Sequence, residues 1–268
     1  MTDKYCVIGN PIAQSRSPQI HAVFAAQTGQ DISYERCLAP VDDFAGTIGR
    51  LVAEGYKGAN VTVPFKIEAA QIATRLSERG RAAGAVNTLA FRDGEIYADN
   101  TDGAGLIADI VRNAGVPLAG KRVLMLGAGG AARGAVLPIL TEGPRELVIA
   151  NRTRATAEAL AAQFEGRVAV CDFADIDAPF DVIINATSAS LAAAVPPLPP
   201  LAFCPDTLAF DMMYAKDPTV FMEFAAAHGA KVRDGLGMLV EQAAEAFALW
   251  RGVRPGTEQL LKELRSKL

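Results

Sequence analysis

From Gly120 onward, short apolar runs alternate with alanine-rich helical stretches, and that alternation admits few folds. Strands are predicted near 122–127, 146–151, 167–171, 180–186 and 207–211, with helices between them. Such a repeat builds a parallel, doubly wound sheet, because each parallel neighbour has to be reached through a crossover helix. The first repeat, from Lys121 to Val136, stops at Gly127 and restarts as a helix. Gly127, Gly129 and Ala132 stand in a G-x-G-x-x-A spacing, which turns the chain, lets a phosphate approach the backbone and allows close helix-to-strand packing. The helix start that follows offers free N–H groups and a positive dipole end to a pyrophosphate. A plain strand-to-helix turn would be written in the same way, so the rest of the chain must decide.

The end of the second strand bears on the choice of dinucleotide. An NAD site carries Asp or Glu there to accept from the ribose 2'-hydroxyl. Here Glu146-Leu-Val-Ile-Ala-Asn151 runs into Arg152, Thr153 and Arg154. A guanidinium cannot accept that hydrogen bond but pairs well with a 2'-phosphate, so NADP is expected in preference to NAD.

The first hundred residues read as a second α/β unit. A short buried strand at 4–9 leads into the loop Asn10-Pro-Ile-Ala-Gln-Ser-Arg-Ser-Pro18 and a helix that ends at Gly29. Ser17 before Pro18 reads as a helix N-cap, which leaves Ser15 as the hydroxyl without a local structural task. A strand is expected over 32–38, a helix over 41–53 and a strand over 58–63. In that last strand Asn60 and Thr62 share one face. Pro64 stops it, and Lys66 opens a helix predicted to run to about Leu76. A lysine in the first turn sits at the unfavourable end of the helix dipole, a local violation that marks either a functional site or a solvated surface residue. Further on come an apolar strand around Asn87, a hairpin turn at Asp93-Gly94 and the stretch Asp99-Asn-Thr-Asp-Gly103. Asp102 fits either an N-cap for a helix over 105–113 or a site residue. Beyond Asp234-Gly-Leu-Gly237, Leu239, Ala243, Ala246, Phe247 and Trp250 form an apolar helical stripe that also carries Gln242. Its amide needs partners, from backbone or from ligand.

Composition narrows the functional classes. Half of the 268 residues are apolar, enough for a sizeable core, while a net charge of −4 gives no basic surface for nucleic acid or anionic membranes. No apolar run approaches the roughly 20 residues needed to span a bilayer. The opening Met1-Thr-Asp-Lys-Tyr5 carries no secretory pattern, so a cytoplasmic protein is expected. Cys6, Cys37, Cys171 and Cys204 are scattered, and with only His21 and His228 beside them neither a disulfide framework nor a metal site is expected.

Taken together, several stretches resemble the shikimate dehydrogenase family. They are Gly9-Asn-Pro-Ile with Ser15-Arg-Ser-Pro18, Asn60-Val-Thr-Val-Pro-Phe-Lys66, Gly84-Ala-Val-Asn-Thr88, Asp99-Asn-Thr-Asp-Gly103, Gly127-Ala-Gly-Gly-Ala-Ala132, Asn151-Arg-Thr153, Asn185-Ala-Thr-Ser188 and Gly235-Leu-Gly-Met-Leu-Val-Glu-Gln242. The resemblance implies an α/β fold of two domains. An N-terminal substrate domain would take residues 1–101 plus 238–268, and a Rossmann-type NADP-binding domain 102–237. It implies Lys66 and Asp102 as the catalytic pair and Ser15, Ser17, Thr62, Asn87, Tyr214 and Gln242 as substrate ligands, with Asn60 supporting its strand end. Gly127, Ala128, Gly129, Gly130, Ala131, Asn151, Arg152, Thr153, Arg154, Met212 and Gly235 would hold NADP. The implied reaction is reversible hydride transfer between NADP and a small-molecule substrate, shikimate, by a monomer or homodimer. An NAD-using quinate/shikimate dehydrogenase is the nearest alternative, and a non-catalytic NADP-binding regulator the more distant one. The chain departs from the family pattern at Gln14, often histidine, and at Ser190, usually glycine. If position 190 requires positive φ, Ser190 is strained.

Overall fold

A computed structural model describes residues 2–187 and 189–268, so Ser188 of the Asn185-Ala-Thr-Ser188 stretch lies outside the described residues. The chain forms two compact units, Met1–Gly105 with Leu239–Lys267, and Leu106–Met238 with Leu268.

The first unit opens with β1 (Asp3–Gly9), α1 (Ser17–Thr28), β2 (Ile32–Leu38), α2 (Phe44–Ala53) and β3 (Tyr56–Val61). It continues through α3 (Lys66–Ile72), β4 (Arg75–Leu76), α4 (Glu78–Ala83), β5 (Thr88–Arg92) and β6 (Glu95–Asp99). Its six-stranded sheet has the order β2-β1-β3-β5-β6-β4. β1 lies parallel to β2 and β3, whereas β5 runs antiparallel to both β3 and β6. That reversal matters for the site. The register pairs Asn60 with Thr88 and Thr88 with Asp99, so the end of β3, the start of β5 and the end of β6 meet at one sheet edge. One face of the sheet buries Cys6, Ile8, Phe44, Ile48, Val61, Phe65 and Leu89.

α5 (Asp102–Ile107) carries the chain onward and passes into a π-helical turn at Ala108–Asn113, where a continuous α-helix is predicted. The second unit then contains β7 (Arg122–Leu126), α6 (Gly130–Thr141), β8 (Glu146–Ala150), α7 (Arg154–Ala161), β9 (Ala169–Cys171), β10 (Val182–Asn185), β11 (Leu208–Asp211), α8 (Val220–Ala227) and β12 (Lys231–Arg233). All of its strand pairs are parallel, in the order β12-β11-β10-β7-β8-β9. The winding reverses between β7 and β10, the place where doubly wound sheets bind ligands. α9 (Leu236–Arg251) and α10 (Glu258–Arg265) complete the chain.

Several boundaries differ from the sequence reading for local reasons. The helix predicted from Lys66 to Leu76 stops at Ile72, because Arg75–Leu76 is taken up as a short strand parallel to β6. The strand expected around Asn87 begins only at Thr88, and upstream of it Gly84 caps α4 in the left-handed region with φ 60°. α4 and β12 are too short for a periodicity to betray them. Among the described residues no helix is long and apolar enough to cross a membrane.

Candidate active site

Lys66 is the first residue of α3, and its position at the unfavourable end of that helix is resolved by a partner. Its Nζ lies 2.6 Å from Oδ2 of Asp102, a half-buried ion pair. Asp102 opens α5 but does not cap it. Asp102 is already a helical residue, its N–H donates to Oδ1 of Asn100, and its carboxylate faces Lys66. Its second oxygen, Oδ1, accepts from Nδ2 of Asn87 at 2.8 Å.

Asn87 is the hub of this edge and is only 3 % exposed. Besides Asp102, its amide nitrogen lies 3.0 Å from Thr101 Oγ1 and 3.2 Å from Gln242 Oε1. Its carbonyl oxygen accepts from the Thr101 N–H at 2.8 Å and from the Thr88 hydroxyl at 3.0 Å. The Gln242 amide nitrogen donates to the Leu239 carbonyl, so the stripe amide is half-buried and braced by α9's own backbone. Beneath them Asn60 donates to the Asn87 main-chain carbonyl and the Thr88 hydroxyl, and accepts from the Tyr34 phenol at 2.7 Å. Burial pushes the Tyr34 phenol well above its ordinary pKa, which keeps it a donor.

Support for the Asp102 loop comes from residues the sequence did not single out. Arg79 makes a bidentate pair with Asp99, Nε to Oδ1 at 2.7 Å and Nη2 to Oδ2 at 2.6 Å. Burial raises the Asp99 carboxyl, but hydrogen bonds and charge from Arg79 outweigh it and hold that carboxyl below its ordinary value. Arg79 also reaches Glu245 on α9, and Arg254 bridges Glu245 to Glu241. Partners 20 and 166 residues apart carry no local signature.

The serine loop reverses one expectation. Arg16 occupies the cap position of α1 and makes no side-chain cap, while Ser17 is already helical and buried. It is the Ser15 hydroxyl that accepts from the Ser17 N–H, at 3.3 Å, and the two hydroxyl oxygens lie 3.2 Å apart. A boundary shift of one residue thus exchanges their local tasks. Thr62 follows β3, its N–H donating to the Ile8 carbonyl. Lys66, Asp102, Asn87, Gln242, Ser15, Ser17 and Thr62 all belong to the first unit.

In the second unit, Gly127 turns the chain with φ 103°, and a Cβ there would sit 3.0 Å from Thr187 Cγ2. Gly129 caps α6 with no side-chain acceptor, and Cβ atoms built on Gly129 and Gly130 meet nothing within 4 Å. An uncapped helix start with open space before it fits a pyrophosphate. At the end of β8, Asn151 is not free: its amide braces the loop by donating to the Thr153 carbonyl at 2.8 Å. Arg154 is engaged too, with Glu158 at 2.8 Å and Asp172 at 3.0 Å. Exposed Arg152 makes no side-chain hydrogen bond or ion pair among the described residues. A Cβ on Gly235 would overlap the Met212 carbonyl, which explains the glycine. Tyr214 lies half-buried beyond β11. Ser190 is not strained: positive φ falls instead on Asp93, Glu165 and Ala193, and the Ser190 hydroxyl donates to Asp211 at 2.7 Å.

Three family descriptions match consecutive parts of the chain. They are the shikimate dehydrogenase substrate binding domain over residues 7–89, shikimate / quinate 5-dehydrogenase over 109–194, and the shikimate 5'-dehydrogenase C-terminal domain over 235–265. A shikimate dehydrogenase (NADP(+)) from Janthinobacterium sp. (strain Marseille) is 62 % identical over 100 % of this chain and 98 % of its own. Among solved structures, an enzyme named Ael1 from Pseudomonas putida superposes with a TM-score of 0.95 at 48 % identity, covering 98 % of each chain. The Thermus thermophilus shikimate 5-dehydrogenase, solved in complex with NADP(H) and shikimate, matches with a TM-score of 0.89 at 32 % identity over 100 % of both chains. With these likenesses running the length of both units, the chain belongs to the shikimate dehydrogenase family.

Proposed function

We propose that this chain is an NADP-dependent oxidoreductase that interconverts shikimate and 3-dehydroshikimate in the cytoplasm, with Lys66 and Asp102 managing the proton. The observation that carries the assignment of roles is the Lys66–Asp102 pair at 2.6 Å, held from behind by Asn87. When bound, the nicotinamide supplies or accepts the hydride at the carbon bearing the substrate's 3-oxygen. In the reducing direction the Lys66 ammonium hydrogen-bonds the ketone oxygen and donates a proton as negative charge develops there. In the oxidising direction the neutral amine accepts that proton, and Asp102 stabilises the ammonium that results. Asn87 fixes the Asp102 carboxylate, so the charge does not reorganise during the step. Ser15, Ser17, Thr62 and Gln242 supply hydroxyl and amide groups for the substrate's hydroxyls and carboxylate, joined by Tyr214.

Cofactor choice follows from Arg152. It offers a cation where an NAD site needs a carboxylate, and Arg154 is already committed to Glu158 and Asp172. Comparison of kcat/KM for shikimate with NADP against quinate with NAD tests the reading directly. A large preference for the first pair is expected, whereas equal or reversed values identify a quinate/shikimate enzyme instead.

A further inference from the structure

The loop that presents Ser15 and Ser17 is fastened at both ends to β2 and its exit. At its start, the Asn10 amide donates to the Ala39 carbonyl at 2.9 Å. At its end, the Arg36 guanidinium grips the Ser15 carbonyl with two donors, Nη2 at 2.6 Å and Nε at 3.1 Å. Arg36 and Tyr34 lie two apart on β2 and therefore share a face. Tyr34 holds Asn60 through its phenol, and its ring stacks on His21 with centroids 4.1 Å apart and planes 8° from parallel. His21 stands one helical turn beyond Ser17 on α1. One face of an edge strand thus touches the serine loop, the helix that follows it and the end of β3.

We propose that Arg36 is a positioning residue of the substrate site, its guanidinium fixing the Ser15 carbonyl so that the Ser15 and Ser17 hydroxyls are pre-set for the substrate. The inference rests on the reading that these two serines bind substrate. Because the hydroxyl oxygens lie 3.2 Å apart and Ser15 also accepts from the Ser17 N–H, a displaced Ser15 carries Ser17's partner with it. Two donors on one carbonyl fix its direction as well as its distance, which a lysine's single ammonium point cannot do. Arg36 is exposed and touches none of the proton-transfer groups, so its loss acts on binding and leaves chemistry intact.

Steady-state kinetics of Arg36→Met, Arg36→Lys, Ser15→Ala and the Arg36→Met/Ser15→Ala double variant test this. Arg36→Met is expected to raise KM for shikimate about tenfold, with kcat within about twofold and KM for NADP unchanged. Arg36→Lys should recover only part of the loss, at low and high salt alike. The double variant should be little worse than Ser15→Ala, because both changes disable the same loop. If Ser15→Ala raises KM while Arg36→Met does not, the positioning role is refuted and the site reading stands. Full recovery by lysine, or a defect in Arg36→Met that high salt abolishes, would show that Arg36 acts only as a diffuse charge on an anionic substrate, and the proposal falls. If Ser15→Ala leaves KM unchanged, the site reading fails and takes the proposal with it.

Discussion

His21 is fully buried, and both of its ring nitrogens lack a hydrogen-bond partner. It is enclosed by the rings of Tyr34, Trp250, Phe24 and Phe247. Burial there pushes its pKa from 6.5 down to about 3. The folded protein therefore refuses a proton that the unfolded chain accepts below about pH 6.5. Stability from this group is fully present above the unfolded value and is lost as pH falls toward the folded one. Each pH unit in that window costs about 1.4 kcal/mol, so acidification from neutrality to about pH 5 removes about 2 kcal/mol. Asp99, also held below its ordinary carboxylate value, contributes only at lower pH, where the unfolded carboxyl begins to protonate. Urea unfolding across the upper window isolates the imidazole, and His21→Leu is the control. Leucine removes a buried group whose missing hydrogen bonds cost about 1–3 kcal/mol and gives up ring stacking worth about 0.5–1.5 kcal/mol. The variant should match wild-type stability at neutral pH to within about 1–2 kcal/mol and lose the slope. An unchanged slope in His21→Leu would refute the reasoning. A loss of several kcal/mol at neutral pH would also refute it, because it would mean the nitrogens are satisfied.

Other positions make comparably definite claims. Asn87→Ala strands the buried Thr101 N–H and deprives Asp102 of a donor, so it should cost about 2–5 kcal/mol in urea unfolding and lower kcat more than it changes KM for NADP. Arg152→Ala should raise KM for NADP at least about tenfold and leave KM for NAD unchanged, since only the phosphate contact is lost; equal effects on both cofactors would place the phosphate elsewhere. Gly235→Ala forces a methyl into the Met212 carbonyl, so the strand-end loop must move, and weaker NADPH binding by fluorescence titration is the expected sign.

Where a residue breaks a local rule, the structure gives it a partner far along the chain. Lys66 on the wrong end of a helix and a polar Asn60 beside apolar strand neighbours both turned out to have partners across the sheet edge. The glycine turn at Gly127 and the apolar strands that follow it are readable because period and punctuation are local properties. Hidden features depended on distance or on a single residue of register. No spacing announces that Arg79 holds Asp99 and Glu245 together, or that Tyr34 holds Asn60. The roles of Ser15 and Ser17 exchange because α1 begins at Ser17, one residue earlier than a Ser17 cap requires. Asp102 reads equally as a cap and as a site residue from sequence, because the Lys66 and Asn87 contacts of its carboxylate come from 36 and 15 residues away.

In the proposed reaction Lys66 is the proton carrier. The most direct measurement is NADP reduction by shikimate in Lys66→Ala beside wild type, with NADPH affinity measured on the same preparations. Turnover should fall by about 10²–10⁴ while the NADPH dissociation constant stays within about twofold, because Lys66 lies in the first unit and the glycine turn in the second. Retained kcat in that variant would contradict the assignment of the chemistry to this pair.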